Sequence, residues 1–171
     1  MRKYLLTLLV SLSILSVLSV KAVEKGDFVI QPSLNLGNYY INNSSGFGNG
    51  LGVTANFDYA LHEYFSLGAF VGFNHVYNDN YNRVNFGARG IFHFWQLIDN
   101  NASRDLKSDK VDWYLPLHVG FNFYSGTQKE SLLYPGLGMG LRYYLTPKIG
   151  IAFEFGGMEL SPAKIGIAIK L

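Results

Sequence analysis

The sequence contains no cysteine among its 171 residues. This absence excludes disulfide bonds, a thiolate zinc site and a lipid-modified cysteine near the amino end. Charged residues are also scarce, since Asp, Glu, Lys and Arg make up 15% of the chain against about a quarter in a typical soluble domain. With so few basic residues and no basic stripe, we expect no nucleic-acid partner.

Aromatic residues are abundant by contrast, at 16%, and 19 glycines are spread along the chain. A soluble domain with this many Phe and Tyr would need more charge to cover its surface, whereas a surface that faces lipid needs little. The length is enough for one domain. The composition therefore favours a membrane protein with a single domain.

The first 22 residues have the features of a secretory signal. Arg2 and Lys3 give a positive start, an apolar stretch runs from Leu5 to Val20, and Ala22 precedes a small-residue cleavage site. We expect cleavage after Ala22, which leaves residues 23–171 as the mature domain; an uncleaved helical anchor is the alternative. Removing Arg2, Lys3 and Lys21 from the 14 basic residues leaves 11 against 12 acidic ones, so the mature chain is close to neutral.

Apolar and polar residues alternate in eight segments, with the period of two that is typical of β-strands. In the last segment the odd positions from Ala163 to Leu171 are all apolar. Each segment has about the length that a tilted strand needs to cross a bilayer. The predicted strands are Phe28–Tyr40, Gly50–Ala60, Tyr64–Val76, Asn82–Trp95, Val111–Tyr124, Tyr134–Leu145, Lys148–Gly156 and Ala163–Leu171.

The connections between these segments alternate between long and short. His62-Glu63 and Thr146-Pro147 are tight and fit periplasmic turns. The charged connection Gln96–Lys110 is longer than that rule allows, and we expect a solvated loop or a short strand extension. Polar connections rich in Asn, Ser and Gly are expected outside the cell: Ile41–Asn49, Tyr77–Tyr81, Ser125–Leu133 and Gly157–Ser161.

Alternation alone does not say which face meets lipid, because soluble ligand-binding barrels place their apolar face inside. Here the polar face is Gly, Asn, Ser and Thr rather than a coat of Lys and Glu, and the apolar face is too bulky for an eight-stranded interior. Gly136, Gly138 and Gly140 fit an inward face where space is short. The predicted fold is all-β: an eight-stranded antiparallel up-and-down transmembrane β-barrel with a side-chain-filled lumen.

Charged residues on the inward face predict a structural charge cluster in the lumen. Arg142 and Glu154 flank one tight turn at nearly equal distance, and Lys164 comes from the strand on the other side of Glu154. A gated ion path through these residues is the sharper alternative. The predicted cluster consists of Glu154, Arg142, Lys164, Arg89 and Asp112.

The carboxyl half resembles the small eight-stranded outer-membrane barrels of the OmpA/OmpX-like group. The resemblance rests on Gly138-x-Gly140-x-Arg142-Tyr143-Tyr144, on Thr146-Pro147-Lys148-Ile149-Gly150, on Glu154 followed by Gly156, and on Gly166-Ile167 near the terminus. It implies a bacterial outer-membrane location, and a terminal strand that the outer-membrane assembly machinery reads. It also implies a structural, adhesive or surface-interaction role, with outer-membrane lipid as the surrounding partner. The end is Leu171 rather than the commoner Phe.

No motif in the chain predicts a cofactor, and we expect no enzyme activity. His93 and His118 are both predicted to point inward, where a polar network is favoured over a metal site. A lipid-modifying enzyme remains an alternative, with His75 and Asp79 near the outer end of the third strand and Ser125 or Ser161 as the serine. A porin is disfavoured because eight strands enclose no open water channel.

Overall fold

The computed structural model describes residues 21–39, 47–76, 81–102, 109–125, 132–158 and 161–171. The signal segment 1–20, the tips of the predicted outer loops and Asp79 lie outside the described residues. Eight strands and one short helix account for most of the described chain. Their bounds are β1 Phe28–Tyr39, β2 Phe47–His62, β3 Phe65–Val76, β4 Tyr81–Phe92, α1 Phe94–Asn101, β5 Val111–Tyr124, β6 Leu132–Tyr144, β7 Ile149–Met158 and β8 Ser161–Lys170.

The strands form one closed antiparallel barrel in sequence order, in which β1 pairs with β8. That closing ladder runs from Val29 opposite Lys170 to Leu36 opposite Ala163. Gly37 has a φ of +82° and lies where the β1–β2 register shifts, so a residue without Cβ accommodates the irregularity. The eight-stranded transmembrane barrel predicted from the alternation is confirmed.

Burial follows the same alternation and separates the two faces of the wall. Leu117 is 61% exposed and Leu67 58%, whereas Asn56 and Asn122, on the opposite parity of their strands, are fully buried. The apolar residues therefore form the outer surface and the polar residues fill the lumen, as expected of a barrel in lipid. No helix in the described part of the chain is long and apolar enough to cross a bilayer.

The end of the fourth strand differs from the prediction. β4 stops at Phe92, and α1 replaces the predicted strand residues Phe94 and Trp95 and the first part of the predicted loop or strand extension. That part of the prediction is wrong. The reason is a change of period, because Phe94, Leu97 and Ile98 are spaced for one face of a helix rather than for alternate faces of a strand.

The two tight turns lie at the end of the barrel that also carries α1. At one of them, Thr146 Oγ1 accepts hydrogen bonds from the amides of Lys148 and Ile149, at 3.3 and 3.0 Å. Short turns are periplasmic in barrels of this type. We therefore describe this end as the periplasmic end and the opposite one as the outer end.

Candidate functional site in the barrel lumen

Six charged side chains and one tyrosine, from six strands, meet in the periplasmic half and middle of the lumen. They point inward because, on each strand, they occupy the same alternate positions as the small and polar residues that face the lumen. None of them is more than 2% exposed. This charged layer consists of Asp58, Arg89, Asp112, Tyr114, Arg142, Glu154 and Lys164.

Glu154 binds two cations and a hydroxyl. Arg89 Nη2 lies 2.7 Å from Oε1, Lys164 Nζ lies 2.6 Å from Oε2, and the Tyr114 hydroxyl donates to Oε1 at 2.8 Å. Glu154 and Lys164 are direct register partners on β7 and β8. A buried carboxylate with this many charge-assisted donors is held in one geometry.

Arg142 forms a second group around Asp58. Its Nη2 lies 2.5 Å from Asp58 Oδ2, and its Nε donates to Gln31 Oε1 at 2.8 Å. Its guanidinium carbon lies 4.5 Å from the centroid of the Tyr114 ring, within the range of a cation–π contact. Asp112 Oδ2 is 3.7 Å from Nη1.

Arg89 joins the two groups, because its Nε lies 3.2 Å from Asp58 Oδ1 while Nη2 binds Glu154. The layer therefore places three carboxylates among three cations. Attraction between these opposite charges offsets the free-energy cost of desolvating each ion, but only while all of its partners are present. All members of the predicted cluster lie in this layer.

The predicted neighbours Arg142 and Glu154 are not register partners. Arg142 lies opposite Ala152, and Glu154 lies opposite Gly140. Both side chains instead contact Tyr114, whose ring fills the space over Gly140, where an added Cβ would overlap it. Sequence reasoning did not include Tyr114, Asp58 or Gln31 in the cluster, although their inward parity is the signal that could have found them.

At the periplasmic side of the charged layer, its member Asp112 forms a chain of hydrogen bonds with His93 and Ser66. Ser66 Oγ lies 2.8 Å from His93 Nε2, and His93 Nδ1 lies 2.9 Å from Asp112 Oδ1. A carboxylate only accepts, so Nδ1–H donates to Asp112; when the imidazole is neutral, Nε2 accepts from the Ser66 hydroxyl. The order is that of a serine-hydrolase triad, and the sequence did not point to it.

The outer half of the lumen is built mainly from side-chain amides. Asn35 Nδ2 donates to Asn74 Oδ1 at 2.8 Å, and Thr54 Oγ1 donates to Asn35 Oδ1 at 2.9 Å. Arg83 is also buried at this level. We call Asn35, Thr54, Asn56, Asn74, Asn85 and Asn122 the amide layer.

Aromatic rings pack beside the amide layer. His118 makes edge contacts with Phe70 and Tyr134, each with ring centroids 5.4 Å apart, and Asn85 Nδ2 donates to the Tyr134 hydroxyl at 3.2 Å. His118 and His93 therefore lie in different layers. The two predicted inward histidines have separate surroundings.

Two of the residues considered for an outer-leaflet enzyme, His75 and Ser125, contact the same residue, Asn82, and Asp79 lies outside the described residues. His75 Nδ1 is 2.8 Å from Asn82 Oδ1, and Ser125 Oγ contacts the backbone of Asn82. Ser161 Oγ donates to the carbonyl of Ala163 at 2.8 Å.

At the periplasmic rim, Lys21 Nζ lies 2.9 Å from Glu63 Oε2. This hydrogen bond is the main reason that the pKa of Glu63 lies below its usual value, and the Tyr64 hydroxyl and Asn100 act in the same direction. The pair is partly exposed, so its contribution to stability is small, and the expected cleavage after Ala22 removes Lys21 from the mature protein.

No protein-family model and no curated protein matches the sequence. Solved structures do match. A neisserial surface protein A shares 16% identity, with 86% of this chain and 100% of that one covered and a TM-score of 0.56. A de novo designed transmembrane β-barrel shares 19% identity, with 87% and 98% covered and a TM-score of 0.54.

These likenesses are at the level of the fold. The chain is a small transmembrane β-barrel of the outer-membrane type, with eight strands.

Proposed function

We propose that this protein is a small integral barrel of the bacterial outer membrane that has a structural, adhesive or surface-interaction role and does not form an open pore. One observation carries the proposal: the charged layer crosses the lumen. Arg142 on β6 reaches Asp58 on β2, and Arg89 on β4 reaches Glu154 on β7, so ion pairs span the interior from wall to wall.

The closed lumen is tested by recording from planar bilayers that contain the purified, refolded protein. A filled lumen predicts no steady conductance above that of the bare bilayer. Steady large conductance would overturn the proposal. Brief openings that respond to voltage would favour the alternative, a narrow gated channel.

Export is part of the proposal: residues 1–22 are removed and the barrel is delivered through the periplasm. Val23, the expected new first residue, is 1% exposed, so we expect cleavage before the barrel closes around it. Fractionation of the envelope should recover the protein with outer-membrane markers, and mass spectrometry should find Val23 at its amino end. Recovery with inner-membrane markers would contradict the location.

Outer-membrane lipid is the proposed partner of the apolar wall, and the assembly machinery is the proposed reader of β8. Ile167 is 51% exposed on the lipid side of β8. Ile167→Lys should make the free energy of folding into the bilayer less favourable by about 2–4 kcal/mol if the residue lies near the bilayer midplane. Folding yield into vesicles, read by heat-modifiable gel migration, measures this, and an unchanged yield would contradict lipid contact.

A surface role would depend on the outer loops, which lie largely outside the described residues. Exchanging residues 41–46 or 126–131, which lie between the strands, for a Gly/Ser segment of equal length should change binding of cells that express the protein to a host-cell layer. Heat-modifiable migration should stay unchanged. Unaltered binding after both exchanges would favour a purely structural role.

A second candidate function is ester hydrolysis, favoured by the order Ser66–His93–Asp112. Its test is a fluorophosphonate probe. If His93 activates the serine, Ser66 Oγ attacks phosphorus, fluoride leaves and the hydroxyl proton passes to His93. Labelling that is lost in Ser66→Ala and His93→Gln would establish this function. We prefer the first proposal because Ser66 is buried, and an unlabelled protein would leave these three residues a structural role.

A further inference from the structure

The helix α1 is amphipathic in the opposite sense to a helix on a soluble protein. One polar residue of the helix, Gln96, faces the barrel and is fully buried, while Leu97 is 40% and Ile98 45% exposed; Asn100 and Asn101 are also exposed. A helix on a soluble domain normally buries its apolar stripe and exposes its polar side. Here the buried residue is polar and large apolar residues are exposed, as on the strands of the wall.

Several contacts fix α1 in this orientation. The amide of His93, directly before the helix, donates to the carbonyl of Tyr64 at 2.9 Å, and the His93 ring is bound to Asp112. Asn100 Nδ2 donates to the Tyr64 hydroxyl at 2.8 Å and to Glu63 Oε1 at 3.3 Å. The helix also packs against β5. Its apolar side is therefore held outward by polar contacts on its other side.

The exposed side of α1 continues the lipid-facing surface of the barrel. Phe92, the last residue of β4, packs against Phe65 with the two rings tilted and their centroids 5.1 Å apart. The helix begins two residues later, at Phe94. Phe94, Leu97 and Ile98 lie on one side of that helix, and Trp95 lies at the edge of the same arc. Trp95 is partly exposed. Indole rings favour the boundary between headgroups and acyl chains.

We propose that α1 is an interfacial anchor that lies in the periplasmic leaflet of the outer membrane. Its occupant is phospholipid, with Leu97 and Ile98 among the upper acyl chains and Trp95 at their boundary with the headgroups. Two features favour lipid: the continuity of this surface with the apolar wall, and the placement of the helix at the periplasmic end beside the short turns. The helix carries a single charged residue, Asp99, so apolar burial rather than headgroup attraction drives the contact.

The chain has two tryptophans, which makes a direct test possible. Trp113→Phe leaves Trp95 as the only indole, and Trp95→Phe leaves Trp113 on the lipid-facing parity of β5 as the matched control. Both proteins are folded into phosphatidylcholine vesicles with or without bromine atoms near the top of the acyl chains. Bromine quenches an indole only on contact, and it is present in both leaflets, so the direction of insertion does not matter.

We expect Trp95 to lose roughly half of its emission in brominated vesicles, as an indole at the acyl boundary should. Acrylamide in the aqueous phase should quench it only weakly. The double substitution Leu97→Gln and Ile98→Gln, made beside Trp113→Phe, should lower bromine quenching and raise acrylamide quenching. The matched pair Leu97→Ile and Ile98→Leu should keep the original values.

Quenching of Trp113 with none of Trp95 would overturn the proposal, because it would place α1 outside the lipid. Absence of quenching for both indoles would contradict the spanning barrel as well, so the two failures are distinguishable. Unchanged bromine quenching in the double Gln variant would also overturn the role of Leu97 and Ile98.

Discussion

The charged layer and the amide layer fill the same lumen in two different ways. In the charged layer, Arg89 is shared by Asp58 and Glu154, so the loss of one ion affects several partners. In the amide layer, Asn35 connects Thr54 and Asn74 through neutral hydrogen bonds. Both layers close the interior, but only the first depends on balanced charge. We therefore expect the barrel to tolerate changes at its outer end far better than changes near its middle.

The largest effect is expected for Glu154→Gln. The substitution keeps the volume but leaves Arg89 and Lys164 without the carboxylate that balances them, which costs about 3–5 kcal/mol. Urea unfolding of the protein in vesicles, followed by tryptophan fluorescence, measures the change. Glu63→Gln makes the same exchange at a partly exposed turn and should cost less than about 1 kcal/mol.

Lys164→Met sharpens this prediction through a double-mutant cycle. The variant lacking both Glu154 and Lys164 should be more stable than the sum of the two single effects indicates, with a coupling of about 0.5–3 kcal/mol. Additive effects would show that the 2.6 Å pair is not energetically coupled. Equal unfolding of the Gln variants at positions 154 and 63 would remove the distinction between a buried network and a partly exposed carboxylate.

A smaller effect is expected for Asn35→Ala in the amide layer. The change leaves Asn74 and Thr54 without their shared partner, at a cost of about 1–3 kcal/mol. The same unfolding experiment applies, with Asn35→Asp as a second variant that introduces charge. A loss for Asn35→Ala as large as that for Glu154→Gln would contradict the comparison of the two layers.

The smallest effect is expected for Tyr134→Phe. It removes only the hydroxyl that accepts from Asn85 at 3.2 Å, and the ring can keep its contact with His118. The expected loss is about 0.5–1.5 kcal/mol in the urea midpoint experiment. A loss above that range would indicate that the hydroxyl belongs to a larger network.

The wall of this barrel could be predicted from the sequence, because apolar residues that face lipid alternate with polar residues that face the lumen along each strand. Parity alone placed Arg89, Asp112 and Glu154 inward, and tight turns identified neighbouring strands. The partners across the lumen could not be predicted in this way. Arg142 and Asp58 are on β6 and β2, and whether they meet depends on the stagger of strands that are not neighbours and on side-chain reach.

Two local features were also missed for physical reasons. The helix α1 was not predicted, because the alternating pattern of the preceding strand was extended through Trp95. The spacing of Phe94, Leu97 and Ile98 nevertheless has the helical period. Ser66, His93 and Asp112 lie near the periplasmic ends of three successive strand segments, with inward parity. A search limited to the outer leaflet could not bring them together.

The pairing of β1 with β8 has a consequence for how the barrel comes apart. A sheet with free edges can unravel from its outermost strand, one hydrogen bond at a time. A circular ladder has no such strand, and any first opening exposes two rows of backbone groups to hydrocarbon at once. Disassembly should thus be abrupt and slow to begin, which would make the folded protein long-lived whatever its net stability.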